Sequence, residues 1–138
     1  MIYEPQGVFI APKLVEIVKE VLPDVEPEQA YRQIIEAFSR DDSKLLVFEK
    51  DDEVQAFILA TEEEFEGEPI AFIQLCACRA VKNEKWVVQE MFSRLRKWGA
   101  SRNLDYVYTV VHRNPRPFMR KYKFKFHGTV LRRATKNV

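Results

Sequence analysis

The sequence predicts a mixed α/β domain, and three observations predict it. Two amphipathic helical stretches open the chain. Three β-type runs follow, the last of them long and almost wholly apolar. A further amphipathic helix then separates that run from another apolar strand.

Residues 12–22 place Leu14, Ile17, Val18 and Val21 at helical spacing, and Pro12 suits a first turn, where its missing N–H is harmless. Pro23-Asp24 ends this helix. Residues 27–39 form a second helix with Ala30, Ile34, Ile35, Ala37 and Phe38 on its apolar side, broken by Asp41-Asp42-Ser43. The runs KLLVFE (44–49) and VQAFILA (54–60) read as strands joined by the turn Asp51-Asp52-Glu53. The acidic TEEEFEGEP (61–69), with Gly67 and Pro69, reads as a loop. Residues 70–80 read as a central strand buried on both faces. Residues 86–101 are helical, with Val87, Met91, Leu95 and Trp98 on one face, widened by Val88 and Phe92. A strand at 106–111, a short helix at 117–122 and a last strand at 124–132 complete the order α-α-β-β-β-α-β-α-β.

With 138 residues, 46% hydrophobic and 12% aromatic, the chain has the size and apolar content of one packed domain, 1–138, and not of a disordered segment. No apolar run reaches the roughly 18 residues of a membrane helix. The first residues lack the layout of a signal peptide. Cys76 and Cys78 are too few for a disulfide framework or a zinc site, so they are expected as reduced thiols in a cytoplasmic protein. Residues 1–78 hold 6 Lys/Arg and 18 Asp/Glu, a net −12, whereas residues 79–138 hold 16 and 3, a net +13. Such polarity lets the halves attract each other within the fold or across a homodimer. It also offers the basic half to phosphate, in a nucleotide cofactor or a nucleic acid.

Four places can carry chemistry. The junction NEKWVV (83–88) runs from a strand into a helix N-terminus, where free N–H groups and the helix dipole hold phosphate. Phosphate turns normally use glycine, and here Trp86 and Val88 stand in the turn. Cys76 and Cys78 alternate on one strand and share a face, as small buried side chains. The glutamates at 62, 63, 64, 66 and 68 form a solvated stretch that can attract an amine or supply a base. In RNPRPFMRKYKFKFHG (113–128) basic and aromatic residues alternate, as on a half-buried edge strand or on a grip for single-stranded nucleic acid. His112 and His127 lack metal-ligand spacing.

Taken together, this order of elements and the segment NPRPFMRKYKFKFHG make the chain resemble the GNAT superfamily of acyl-CoA N-acyltransferases over about residues 43–130. The resemblance implies a mixed, mainly antiparallel α+β sheet flanked by helices, acetyl-CoA as cofactor and an amine as acceptor. It sets Cys76, Ala77 and Cys78 on the strand whose backbone lines the acetyl group and pantetheine arm. It sets Asn83, Glu84, Lys85, Trp86, Val87 and Val88 at the pyrophosphate turn, with Asn83 in place of Arg or Gln, Trp86 of the first Gly, and Val88 of Gly or Ala. Asn114 lies near the family's Asn. Met119 stands where a Tyr acid is usual, and Lys123 where a Gly is usual.

Two functions follow from the resemblance. One is direct transfer of acetyl from acetyl-CoA to an amine. A backbone N–H near Cys78 would polarise the carbonyl, Glu68 or His112 would serve as base, and Tyr122 would replace the missing acid. The other is a silent module of the same fold, of the kind found in some phage virion proteins, with Trp86 plugging the turn and a charged half contacting a macromolecule.

Overall fold

The computed structural model describes residues 1–79, 86–111 and 114–135. Strand β1 (Ile2–Tyr3) and a 3-10 turn (Val8–Ile10) lead into α1 (Ala11–Val21) and α2 (Pro27–Ser39). Strands β2 (Ser43–Lys50), β3 (Glu53–Phe65) and β4 (Glu68–Cys78) follow, then α3 (Trp86–Ser101), β5 (Val107–Tyr108) and α4 (Arg116–Tyr122). The strands form one sheet in the order β1-β2-β3-β4-β5. Neighbours are antiparallel except β4 and β5, which are parallel and joined through α3. This is a mixed, mainly antiparallel α+β architecture.

The sheet has an apolar core on each face, which is why β2 and β3 read as continuous apolar runs. Leu14, Ile17 and Val18 of α1 and Ala30 and Ile34 of α2 cover Leu45, Val47, Phe57, Leu59, Leu75 and Ala77. On the other face Val87, Met91, Phe92 and Leu95 of α3 cover Leu46, Phe48, Ala56, Ile58 and Ile73. Two tight turns tie the hairpins. Asp51 and Asp52 (φ 53° and 62°) close β2–β3, and Glu66 and Gly67 (φ 52° and 81°) close β3–β4. Positive φ at both central residues gives a turn whose twist matches the strands it joins. No helix among the described residues is long and apolar enough to cross a membrane.

Several boundaries differ from those the sequence predicts. The acidic stretch is not a loop: β3 runs on to Phe65 and β4 starts at Glu68, so the glutamates lie on a protruding hairpin. Both faces there are largely solvated, so the apolar alternation that reveals a strand is missing. Pro69 is tolerated because its nitrogen points away from β3, as that of Ala71 does. The two-residue β1 is too short to leave a pattern. The strand expected at 106–111 is paired only over Val107–Tyr108. The strand expected at 124–132 is absent: no backbone hydrogen bond joins it to another described residue. Phe124 packs into the α3–α4 cluster and His127 reaches Tyr108 of β5 at 3.1 Å, but the contact is made by side chains and forms no ladder, and Phe126, Val130 and Leu131 stay exposed.

The charge polarity is partly spent inside the fold. Arg79 holds Glu20 of α1 through two bonds of 2.7 and 2.9 Å and donates to the Val54 carbonyl at 2.8 Å. Arg102 holds Glu62 at 2.9 Å. Helix α3 ends in a Schellman turn: Leu104 N–H bonds the Gly99 carbonyl at 2.8 Å and Asn103 N–H the Ala100 carbonyl at 3.1 Å, with Asn103 left-handed (φ 61°). A methyl group at Gly99 would meet Leu104 and Ala71 only at 3.8 and 3.9 Å, ordinary contact distances. Gly99→Ala is therefore expected to raise stability by up to about 1 kcal/mol in urea unfolding. A loss of that size would show that α3 packs on β4 more tightly than described.

Candidate functional site

The geometry of β4 creates the site. Strand β5 pairs with it only at Ala71 and Phe72. Beyond Phe72 no strand lies against that edge of β4 among the described residues. At this point β4 also carries a bulge: Leu59 faces Leu75 and Ala60 faces Ile73, so Gln74 is the extra residue. The bulge reverses the alternation of backbone groups. Ala71 N–H points to β5, where it bonds the Tyr106 carbonyl at 3.0 Å, whereas Arg79 N–H points to β3, where it bonds Gln55 at 2.8 Å. Counting back from Arg79, Ala77 also points to β3, while Cys76 and Cys78 aim their N–H and C=O groups into the gap.

The side chains of Cys76 and Cys78 share the α3 face, as the alternation predicts. Both are half-buried thiols. Burial, with a smaller effect of Cys78, pushes Cys76 up to about 12. Burial also raises Cys78, partly opposed by the nearby Lys121 ammonium, and its thiol donates to the Arg79 carbonyl at 3.2 Å. A raised pKa keeps sulfur protonated at neutral pH, so neither is an activated nucleophile. Their backbone, not their sulfur, is what the gap receives.

Helix α3 begins at Trp86, and its first turn carries no acidic residue. Val87 is buried in the core and Val88 packs against it. The Trp86 ring is half exposed and stands edge-on to Phe48 at 5.8 Å, so β2 takes up one side of the indole. Asn83, Glu84, Lys85 and His112 lie outside the described residues.

Helix α4 meets α3 through aromatic rings. Phe92 contacts Phe118, Tyr122 and Phe124 at 5.9, 4.9 and 5.4 Å between centroids. Tyr122 is thus half-buried, with the Lys121 ammonium 5.4 Å from its ring centroid. Asn114 accepts the Arg116 N–H at 3.1 Å and so serves the start of α4. Lys123 ends the helix in the left-handed conformation (φ 61°, ψ 32°), at the position where the resemblance expects glycine.

A groove of about 390 Å³ opens on the other face of the sheet, between α2 and the acidic hairpin. It is lined by Gln33, Glu63, Glu64, Phe65, Ile70, Phe72 and Gln74. Gln33 Nε2 donates to Gln74 Oε1 (3.2 Å), Gln74 Nε2 to Thr61 Oγ1 (2.8 Å), and Thr61 Oγ1 to Glu63 Oε1 (2.8 Å). Sequence reasoning missed this chain, although Gln74 is the one polar residue in the run 70–78. Glu68, the expected base, sits at the hairpin end, about 20 Å along β4 from Gln74 at the usual rise per residue.

Two predictions follow from this geometry. Replacing Lys123 by glycine removes the steric cost of a left-handed residue, so Lys123→Gly is expected to gain about 1 kcal/mol in urea unfolding. No gain would mean that Lys123 does not hold that conformation in solution. At pH 8, Cys76 is expected to react with iodoacetamide at least about a hundredfold more slowly than free cysteine, because little thiolate is present. The rate should keep climbing as pH rises past 9; a plateau near pH 9 would contradict the burial.

By sequence, the chain matches no family model and no curated protein. Its structure does have likenesses. The aminoglycoside 6'-N-acetyltransferase AAC(6')-Ig from Acinetobacter haemolyticus superposes with TM-score 0.81 at 11% identity, over 100% of this chain and 99% of that one. A protein named a predicted acetyltransferase from Clostridium acetobutylicum, solved with acetyl-CoA, gives 0.78 at 17%, over 97% and 96%. Glucosamine-6-phosphate N-acetyltransferase from Arabidopsis thaliana gives 0.74 at 15%, over 99% and 98%. With its bulged β4, the splay from β5 and the helix between them, the chain has the GNAT fold of these acetyltransferases.

Proposed function

We propose that the chain transfers an acetyl group from acetyl-CoA to an amine. The observation that carries this reading is the gap beside β4, into which Cys76 and Cys78 turn backbone groups that pair with no strand among the described residues, within a fold shared with proteins solved with acetyl-CoA or CoA. The residues fit the cofactor. The edge of β4 offers donors for a carbonyl and for the amides of a pantetheine arm, as a missing strand would. The first turn of α3 offers free N–H groups with no carboxylate among them.

When bound, acetyl-CoA supplies the thioester carbonyl that the amine attacks. A backbone N–H near Cys78 would receive that oxygen and stabilise the negative charge it gathers, leaving that of Cys76 for an amide of the arm. Ala77 holds them in place through its pairing with Phe57. The turn from Asn83 through Glu84, Lys85, Trp86 and Val87 to Val88 receives the pyrophosphate, and Asn114 borders the arm. Glu68 stands far from the bulge, so the base is assigned to His112, which follows β5 in the chain. Tyr122 is assigned as the acid that returns a proton to the leaving thiolate.

One observation favours a second reading, a silent module of the same fold. The rings of Phe92, Phe118, Tyr122 and Phe124 join α3 directly to α4, which narrows the space between the two helices. Calorimetric titration with acetyl-CoA and with coenzyme A separates the two. Acetyl transfer predicts binding with Kd of about 100 µM or tighter. Cys78→Ala should retain that affinity, since only its backbone is used. Trp86→Glu places a carboxylate at the start of α3, which suits the helix but repels a pyrophosphate, and should weaken binding by about tenfold or more. No heat at millimolar cofactor would overturn the proposal in favour of the silent module.

A further inference from the structure

We infer that the groove between α2 and the β3–β4 hairpin binds a primary ammonium group carried on an apolar, planar body. Its identity as the acceptor site rests on the acetyl-transfer reading above; the ammonium site itself stands on the groove alone.

The hydrogen-bond sense of the groove carries the inference. An ionised carboxylate can only accept. Thr61 is 2% exposed, and its hydroxyl lies 2.8 Å from Glu63 Oε1, so it donates there. Its oxygen must then accept from the nearest group of Gln74, which fixes that end as Nε2. Gln74 Oε1 is thereby turned to Gln33, which donates to it. One carboxylate thus orients a hydroxyl and two amides, each member polarising the next.

The carboxylate and amide oxygens left over on this face are Glu63 Oε2 and Gln33 Oε1, which bond no other described residue; Glu64, one step on along the strand, turns its carboxylate to the opposite face. Among the described residues, no Lys, Arg or His lines the groove. Arg40 comes within 3.7 Å of Glu63 at the Oε1 that Thr61 already holds, and two bonds commit it to Asp42. An ammonium group brings donors, a positive charge and no acceptor, which matches a face that offers one carboxylate oxygen and one amide oxygen as acceptors, with a donor left for water. An alcohol brings one donor, and a carboxylate or phosphate is repelled. Phe65, Phe72 and Ile70 supply the apolar wall, and the two rings also favour a cation. At about 390 Å³ the groove takes a single-ring amine. Because Gln74 is the bulge residue, a ligand held here lies beside the point where β4 opens toward its gap.

The test uses the whole chain, ¹⁵N-labelled, with three probes of one shape: phenethylamine, phenethyl alcohol and phenylpropanoate. The amine is expected to shift the side-chain amides of Gln33 and Gln74 saturably, with a Kd on the order of 1 mM. The alcohol and the carboxylate should bind at least about tenfold more weakly. Glu63→Gln should cost the amine a similar factor, whereas Glu66→Gln, at the hairpin turn, should cost nothing. Thr61→Val should weaken the amine several-fold by releasing Glu63, with urea unfolding confirming that each variant folds. Equal binding of amine and alcohol, or wild-type affinity in Glu63→Gln, overturns the inference. Acetyl-CoA, titrated in parallel, separates the two claims. Amine binding without acetyl-CoA binding upholds the groove and removes acetyl transfer. Acetyl-CoA binding with no amine shifts overturns the groove and leaves acetyl transfer standing.

Discussion

A backbone amide inside a sheet must find a partner or meet a ligand or water, and β4 runs out of strand partners partway along its length. The parallel pairing with β5 ends at Phe72, yet β4 continues to Cys78, well covered on both faces. The long crossover that a parallel neighbour demands is supplied by α3. That helix packs Val87, Met91 and Leu95 over the same strands whose edge is left bare, so its N-terminus comes to the side of the gap. The bulge at Gln74 decides which backbone groups face outward there.

The bulge also couples the two faces of the sheet. On the α3 side it sets Cys76 and Cys78 in register with the gap. On the α2 side it frees Gln74 from the apolar core and lets it reach Thr61 and Gln33. The groove and the open edge therefore meet on adjoining residues of one strand. The acid-rich first half of the chain lines the groove, and the helix following β4 lies on the other face. Ion pairs from Arg79 to Glu20 and from Arg102 to Glu62 join the halves at either end of this arrangement.

How much was legible in the sequence differs from element to element. Helix α2 is readable to the residue because Pro27 starts it and the Asp41-Asp42 break follows closely. Helix α3 is equally clear from its apolar stripe, and Lys123, which stands where the resemblance expects glycine, is left-handed in the structure. The hairpin beyond Ala60 is not legible, since a ladder with both faces in water needs no apolar alternation. The segment 124–132 misleads in the opposite sense: it has the alternation, but it meets β5 only through the His127 side chain and forms no ladder with a described strand. The side chains of Cys76 and Cys78 share a face, as their spacing predicts, yet the bulge is set by pairing across strands and leaves no local pattern. Thr61 and Glu63 are joined to Gln74 by tertiary structure alone, and only the isolated glutamine in an apolar run gave a hint.

Amide hydrogen exchange along β4 tests the central claim most directly. With no ligand, Ala77 and Arg79, bonded to β3, should exchange slowly, while Cys76 and Cys78 exchange fast. Saturating acetyl-CoA should slow Cys76 and Cys78 and leave Ala77 as it was. Slow exchange at Cys76 and Cys78 without ligand, unchanged by acetyl-CoA, would mean that the edge of β4 is already closed and that the gap is not a cofactor site.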